Sequence, residues 1–160
     1  FLNFTAVIFT SRHAIDHYFR LAEEMRVVIP DDMKYFCLSE AVAFYLQKYV
    51  VYRKRKIYVG TNTFEDLVPL IKKHKTEKFI LPCSDQVKQS MIDIMNGLQV
   101  EWKRAVLFRT VISDLSDLEN VFYDVLVFFS PSGIKSLFEN FPTFEQNYDT
   151  IESLIFTLQS

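Results

Sequence analysis

The chain has 160 residues, of which 49% are hydrophobic and 24% are charged. This composition is typical of a globular protein and excludes the disordered and fibrous classes. The formal net charge of −2 gives no overall attraction to nucleic acid or to an anionic membrane, so any anionic ligand would need a local binding arrangement. No apolar run approaches the roughly 20 residues of a membrane helix, and no signal-peptide pattern begins the chain. We therefore expect no nucleic-acid partner and no membrane partner.

The chain contains two cysteines and three histidines. Cys37 and Cys83 lie in or just after apolar segments, which predicts two buried thiols in a reducing, cytoplasmic compartment. His13 and His17 share one face of a helix, but no third metal ligand lies near them in the sequence. They are interpreted as ordinary histidines, and no metal is predicted. Because Phe1 is not Met, the sequence is expected to begin inside a longer protein.

Strand-like and helix-like segments alternate four times along the first part of the chain. Short apolar runs predict strands at residues 5–10, 34–38, 57–59 and 79–82. Helical spacing of apolar residues follows each run. The hydroxyl residues expected to open these helices are Ser11, Ser39, Thr63 and Ser84. Such alternation predicts a parallel sheet with helices on both faces, whose ligand-facing edge is where the strands end.

A long extended run, VEWKRAVLFRTVI at residues 100–112, interrupts this alternation. The run is interpreted as a connection between two domains, because the strand-like VLVFFS and a further helix follow it. The sequence therefore predicts a first α/β domain at residues 1–104, a connection at 105–118 and part of a second α/β domain at 119–160.

Two segments repeat the same pattern of strand, hydroxyl turn and amphipathic helix. FTSRHAIDHYF begins at residue 9 and FFSPSGIKSLF begins at residue 128. In register, Ser11 aligns with Ser130 and Ile15 with Ile134. Each serine alone could be no more than a helix N-cap. The matched pair predicts two related domains that present hydroxyls and helix N-terminal N–H groups to a common cleft, where these groups would attract carboxylates or phosphates.

The segments VIFTSRHAI, KYFCLSEAVA, KFILPCSD, VLFRTV and VFFSPSGIKSLF together resemble the uroporphyrinogen-III synthase family, in the divergent form found in Bacteroidetes, over residues 4–141. The resemblance implies two Rossmann- or flavodoxin-like parallel-sheet domains joined by an extended two-stranded connection. It also implies an enzyme of haem biosynthesis that cyclises hydroxymethylbilane to uroporphyrinogen III and inverts the last pyrrole ring. Such an enzyme uses no cofactor and no metal, and it is expected to be a monomer.

The resemblance also implies the substrate-binding residues, by position. They are Thr10, Ser11, Ser39, Thr110, Ser130, Ser132 and Gly133. Two positions depart from the family pattern: Phe108 stands where the family has a tyrosine, and Val42 where a threonine is common. No general acid is assigned; Thr110, Ser11 and a bound water remain open. The family's N-terminal strand and Gly-x-Thr-Thr turn are not found, so segments outside this sequence are expected.

Two other functions remain open at this point. A non-catalytic module that binds a tetrapyrrole or a small anion on the same fold would account for Phe108 and Val42. A generic flavodoxin-like interaction domain would account for the alternation but not for the matched turns. The basic cluster RKRK at 53–56 has no interleaved aromatic residues and is interpreted as a solvated face rather than a nucleic-acid site.

Overall fold

The structure is a computed structural model, which describes residues 3–53, 56–118, 126–128 and 130–142. The chain separates into two compact units, residues 1–110 and residues 111–160. Lys54 and Arg55 of the basic cluster lie outside the described residues, as do residues 143–160 of the predicted second domain.

The first unit is built on a five-stranded sheet in which all neighbouring strands are parallel. The strands are β1 Ala6–Phe9, β2 Lys34–Cys37, β3 Ile57–Val59, β4 Lys78–Ser84 and β5 Glu101–Phe108. Their order across the sheet is β3-β2-β1-β4-β5. Every residue of β1 is fully buried, as expected for a central parallel strand that is covered on both faces. The predicted α/β class and parallel sheet are confirmed.

Helices cover the two faces of this sheet. They are α1 Arg12–Glu24, α2 Glu40–Leu46, α3 Val68–Lys73 and α4 Gln89–Gly97, with a 3₁₀ turn at Glu65–Leu67 before α3. One core cluster packs α1 and α2 against one face of the sheet, and the other packs the 3₁₀ turn, α3 and α4 against the opposite face. Within the described residues, no helix combines the length and apolarity that a membrane span requires.

Both cysteines are buried in this unit as free thiols, which confirms the prediction that their side chains are buried. Burial raises the pKa of the Cys37 thiol to about 12, so this thiol is protonated at neutral pH. The Cys83 thiol donates to the carbonyl oxygen of Ala105 at 3.7 Å. Both thiols therefore fill the core, and the Cys37 thiol is not a nucleophile at neutral pH.

The extended run after α4 is a strand of the sheet. β5 pairs with β4 along its length, from Lys78 opposite Glu101 to Ser84 opposite Phe108. Residues 105–108 were predicted to begin the connection, but they belong to this edge strand. Trp102 packs against one core cluster while Leu107 packs against the other, so the strand contributes apolar side chains to both faces. Extended backbone looks the same in sequence whether it pairs with a sheet or crosses between domains.

Two predicted helix starts are wrong. Ser84 is the last residue of β4, and its Oγ accepts a hydrogen bond from the Gln86 N–H at 3.3 Å, while α4 begins only at Gln89. Thr63 does not cap a helix either. Its N–H and hydroxyl both donate to the Asp66 carboxylate, at 3.1 and 2.6 Å. In both places the hydroxyl residue forms a local turn, which is the usual alternative to capping.

The described part of the second unit contains a 3₁₀ turn at Ser116–Leu118 and one α-helix, α5 Pro131–Asn140. The Asn140 side chain ties its last turn to the segment before it, because Oδ1 accepts from the Leu115 N–H at 2.9 Å and Nδ2 donates to the Ser113 carbonyl at 3.0 Å. Residues 125 and 129 of the predicted strand VLVFFS lie outside the described residues, and residues 126–128 have no regular secondary structure.

Gly60 directly follows β3, at a point where there is no space for a side chain. A Cβ built there would lie 2.9 Å from the Leu38 carbonyl oxygen and 3.2 Å from Cδ2 of Leu67. We expect Gly60→Ala to lower the free energy of unfolding by about 1–3 kcal/mol, because a backbone oxygen cannot move aside cheaply. Urea unfolding of the purified chain measures this loss.

Gly97→Ala is the matched control for this prediction. A Cβ at Gly97, the last residue of α4, meets nothing within 4 Å. Alanine should therefore raise the free energy of unfolding there, by up to about 0.5–1 kcal/mol, through its higher helix propensity. Equal losses in the two variants would show that the close approach at Gly60 is not what excludes a side chain.

Candidate functional site

The strand order creates a crevice at the carboxyl edge of the first unit's sheet. β2 and β3 lie on one side of β1, and the chain then returns to place β4 and β5 on the other side. Ligands of open α/β sheets bind at the carboxyl ends of the strands where the order reverses in this way. Here that point lies between the ends of β1 and β4, and Thr10 and Ser11 follow β1 directly.

The first two helices of this edge begin with serine N-caps, as predicted. Ser11 is extended, and its Oγ accepts from the Ala14 N–H at 3.1 Å. Ser39 is also extended, and its Oγ accepts from the Val42 N–H at 3.4 Å. Accepting a bond uses a lone pair of the hydroxyl and leaves its O–H able to donate to a ligand. The same two residues can therefore cap their helices and present a donor.

A tyrosine–aspartate cluster holds α1 and α2 together below these caps. The Tyr45 hydroxyl donates to the two carboxylate oxygens of Asp16 at 2.9 and 3.0 Å, and the Tyr49 hydroxyl donates to Oδ1 at 2.6 Å. Burial acts to raise the pKa of Asp16, but the hydrogen bonds from Tyr49 and Tyr45 outweigh it, and this pKa is lowered. The bond to Asp16 raises the pKa of Tyr49 to about 12. The cluster joins the first part of α1 to the end of α2 and the turn that follows it.

A groove opens beside the starts of α1 and α2, with a volume of about 690 Å³. Its lining combines the charged residues Arg12 and Glu40 with aromatic side chains, namely Phe44, Tyr45 and Tyr52. The Arg12 guanidinium lies 5.8 Å from the centroid of the Tyr45 ring. This edge of the sheet therefore offers both apolar surface and a cation next to the Ser11 turn.

The end of β5 brings Thr110 to the same edge. Asp85, which follows β4, accepts from the Thr110 N–H at 3.2 Å and donates its own N–H to the Phe108 carbonyl at 3.2 Å. The Arg104 guanidinium donates to the carbonyls of Ser84 and Asp85, at 3.3 and 3.0 Å. Asp85 and Arg104 were not predicted as site residues, although Asp85 ends the recognised segment KFILPCSD.

The end of β3 adds another polar turn. The carboxylate of Asp66 accepts hydrogen bonds from the hydroxyls of Thr61 and Thr63, both at 2.6 Å. These bonds lower the pKa of Asp66, which therefore stays ionised at neutral pH. This turn was not predicted from the sequence, where its signal is the spacing of two threonines and an aspartate in TNTFED.

The second hydroxyl turn opens α5 in the second unit. Ser130 is the extended N-cap, but its side chain makes no capping bond. Instead, the Oγ atoms of Ser130 and Ser132 lie 2.8 Å apart within hydrogen-bonding distance, and the Gly133 N–H donates to the Ser130 carbonyl at 3.0 Å. The two hydroxyls are therefore presented together at a helix N-terminus, as the sequence pattern predicts.

The structure thus places Thr10, Ser11, Ser39 and Thr110 at one edge of one sheet, and Ser130, Ser132 and Gly133 at one helix start. Val42 is only 7% exposed and packs in the core, so a hydroxyl at that position would be buried. Across the described residues, no group of three or more His, Cys, Asp or Glu could hold a metal ion.

Comparison with known proteins finds a matching family model and a solved structure with a similar fold. A search of curated proteins finds no significant match. The fold is similar to the crystal structure of uroporphyrinogen-III synthetase from Helicobacter pylori 26695, with a TM-score of 0.62 and 22% sequence identity; the match covers 92% of this chain and 66% of that one. The chain therefore spans slightly less than two thirds of that protein. The family model described as uroporphyrinogen-III synthase HemD matches residues 1–154, and the chain belongs to this family.

Proposed function

We propose that this protein is a uroporphyrinogen-III synthase, which cyclises hydroxymethylbilane to uroporphyrinogen III. The observation that carries the proposal is the pair of matched hydroxyl turns, each at the start of a helix, in a chain of this family. The same observation distinguishes it from a generic interaction domain, which has no need of matched turns.

The chemistry of the substrate fits these turns. Hydroxymethylbilane is a polycarboxylate, and helix N-termini attract carboxylates through unpaired N–H groups and the helix dipole. Ser11, Ser39, Thr10 and Thr110 add hydroxyl donors at the sheet edge. A site of this kind binds anions locally, which agrees with a chain whose net charge is −2.

Catalysis would depend mainly on positioning. The substrate loses its hydroxyl as water and becomes an electrophilic methylene-pyrrole, with the electrons supplied by the pyrrole nitrogen. Attack then proceeds through a spiro intermediate, which inverts the last ring. The protein would fold the chain so that the correct carbon attacks, and it would assist the departure of water with a proton donor.

We propose a two-domain arrangement to complete the site. Residues 1–104 would form most of one domain and residues 119–160 part of the other, with residues 105–118 bridging them, apart from 105–108 in β5. The two hydroxyl turns would face a common cleft. The boundary between the compact units, after Thr110, falls inside the proposed bridge and supports this division. We further propose that the enzyme is a cytoplasmic monomer.

The proposal is tested by incubating the purified chain with enzymatically generated hydroxymethylbilane and separating the type III and type I products. We expect the type III isomer to form well above the type I background that arises by spontaneous ring closure. Heat-denatured protein is the control for that background. If no type III isomer forms but hydroxymethylbilane still binds, the non-catalytic binding module becomes the better description of this protein.

A further inference from the structure

Two imidazole rings of α1 lie against Phe108 at the end of β5. The ring centroids of His17 and Phe108 are 4.6 Å apart with the planes only 13° from parallel, while those of His13 and Phe108 are 6.5 Å apart at 42°. The two histidines are one helical turn apart. Phe108 lies two residues before Thr110, so this ring cluster borders the carboxyl edge described above.

The imidazoles of His13 and His17 differ in their hydrogen-bond partners. The Arg20 guanidinium lies 3.0 Å from Nδ1 of His17 and is always a donor, so Nδ1 accepts and is unprotonated. Burial, together with the charge of Arg20, lowers the pKa of His17, which agrees with a neutral ring. His17 is therefore stacked and already paired, and it is a poor source of a proton.

His13, in contrast, is exposed and lies in the first turn of α1, two residues after Ser11. Within the described part of the chain, its ring contacts Phe108 but makes no hydrogen bond. Both ring nitrogens are thus available to a ligand held at the Ser11 turn. Serine and threonine hydroxyls donate hydrogen bonds but do not ionise near neutral pH, whereas histidine is the side chain that commonly transfers protons in that range.

We propose that His13 is a catalytic residue, the proton donor to the departing hydroxyl of the substrate. The inference rests on the proposed function. The imidazolium of His13 gives its proton to the hydroxyl oxygen, the carbon–oxygen bond breaks, and water leaves. The pyrrole nitrogen supplies the electron pair that forms the methylene-pyrrole cation. The neutral imidazole then accepts the proton that a pyrrole carbon loses after ring closure, so the step returns the enzyme to its starting state.

Two substitutions of His13 separate proton transfer from packing. His13→Gln removes the proton donor and keeps a polar side chain, while His13→Phe keeps an aromatic ring beside Phe108 and also removes the donor. We expect kcat for type III formation to fall about 100-fold in both variants, the usual scale of general acid catalysis. KM should stay within about twofold of wild type, because donation assists the transition state and not binding.

Folding is checked separately by the melting temperature of each variant. Because His13 is exposed, we expect both variants to melt within about 2 °C of wild type. His17→Gln is the neighbouring control: it removes an imidazole from the same helix face, and kcat should fall less than about tenfold, since His17 is assigned packing and not proton transfer.

Rescue then identifies the lost group as a proton donor. Phe108→Tyr in the His13→Gln background places a phenol beside the vacated position, and added imidazole offers a second source of protons to the His13→Gln variant. Either should restore kcat by about tenfold or more. A loss in both His13 variants that neither treatment relieves would show a structural role and overturn the proposal.

The remaining outcomes separate this inference from the proposed function. If wild type forms type III product and both His13 variants keep the wild-type kcat, the inference is wrong while the enzyme assignment stands. If wild type forms no type III product, the enzyme assignment is wrong, and the proton donor is refuted with it.

Discussion

Replacing Phe36 with Ala is expected to lower the free energy of unfolding by about 3–5 kcal/mol. Phe36 lies in the middle of β2 with 0% of its surface exposed. Its ring stacks on Tyr58 at 4.8 Å and meets Phe79 edge-on at 5.2 Å between centroids. Truncation to Ala would leave a cavity in the core between the sheet and α3, and it would remove the ring contacts with Tyr58 and Phe79.

Phe44→Ala is the control for this loss, since it is the same chemical change in the next element of the chain. The Phe44 side chain is 76% exposed on α2, so its truncation should change the free energy of unfolding by no more than about 0.5 kcal/mol. Urea unfolding, followed by circular dichroism, measures both variants. Similar losses at Phe36 and Phe44 would contradict the assignment of Phe36 to the core between the sheet and α3.

The first strand–helix unit could be predicted almost to the residue because each of its signals agrees with the others. The run TAVIFT is apolar throughout, Ser11 is a favoured N-cap, and Ile15, Phe19 and Ala22 repeat at helical spacing. The observed β1 falls within the predicted strand at residues 5–10, and α1 begins directly after the predicted cap Ser11. Local propensity, burial pattern and capping chemistry all act within about twenty residues here, so no tertiary contact is needed to decide between alternatives.

Prediction failed where a hydroxyl residue had two local uses. Thr63 and Ser84 satisfy the same composition rule as Ser11, yet Asp66 binds the N–H and hydroxyl of Thr63, and β4 continues through Ser84. The choice between a cap and a turn depends on nearby acceptors and on strand pairing. The pairing of β5 with β4 is equally non-local, because it joins segments separated by the whole of α4.

The residues of the candidate site also fall into those that could be predicted from local sequence and those that depend on non-local contacts. Residues that immediately follow a strand or open a helix, such as Ser11, Ser39 and Ser130, could be predicted because the chain itself places them. The contact of His13 with Phe108 could not, because it depends on how α1 lies over β5. Before the structure is known, two histidines one turn apart are no different from ordinary surface residues.

Replacing Ser130 and Ser132 together with Ala is expected to lower kcat/KM for type III formation by tenfold or more. A neutral donor to a charged group contributes about 1.5–3 kcal/mol, and even part of that amount gives a tenfold loss. The two Oγ atoms lie 2.8 Å apart, and the Ser130 side chain does not cap α5, so the hydroxyls are available to a carboxylate. The measurement is the initial rate of type III product over a range of hydroxymethylbilane concentrations.

Ser136→Ala provides the matched control, since it removes a hydroxyl from the same helix one turn after Ser132. Its kcat/KM should stay within about twofold of wild type, because a residue in the middle of α5 has no unpaired helix N–H groups beside it. The melting temperatures of all the variants should agree, since Ser130 makes no capping bond that its loss could break. An unchanged kcat/KM in the double variant would mean that the hydroxyls do not bind the substrate. The substrate carboxylate would then be bound at this turn by the backbone N–H groups at the start of α5, which substitution by alanine leaves in place.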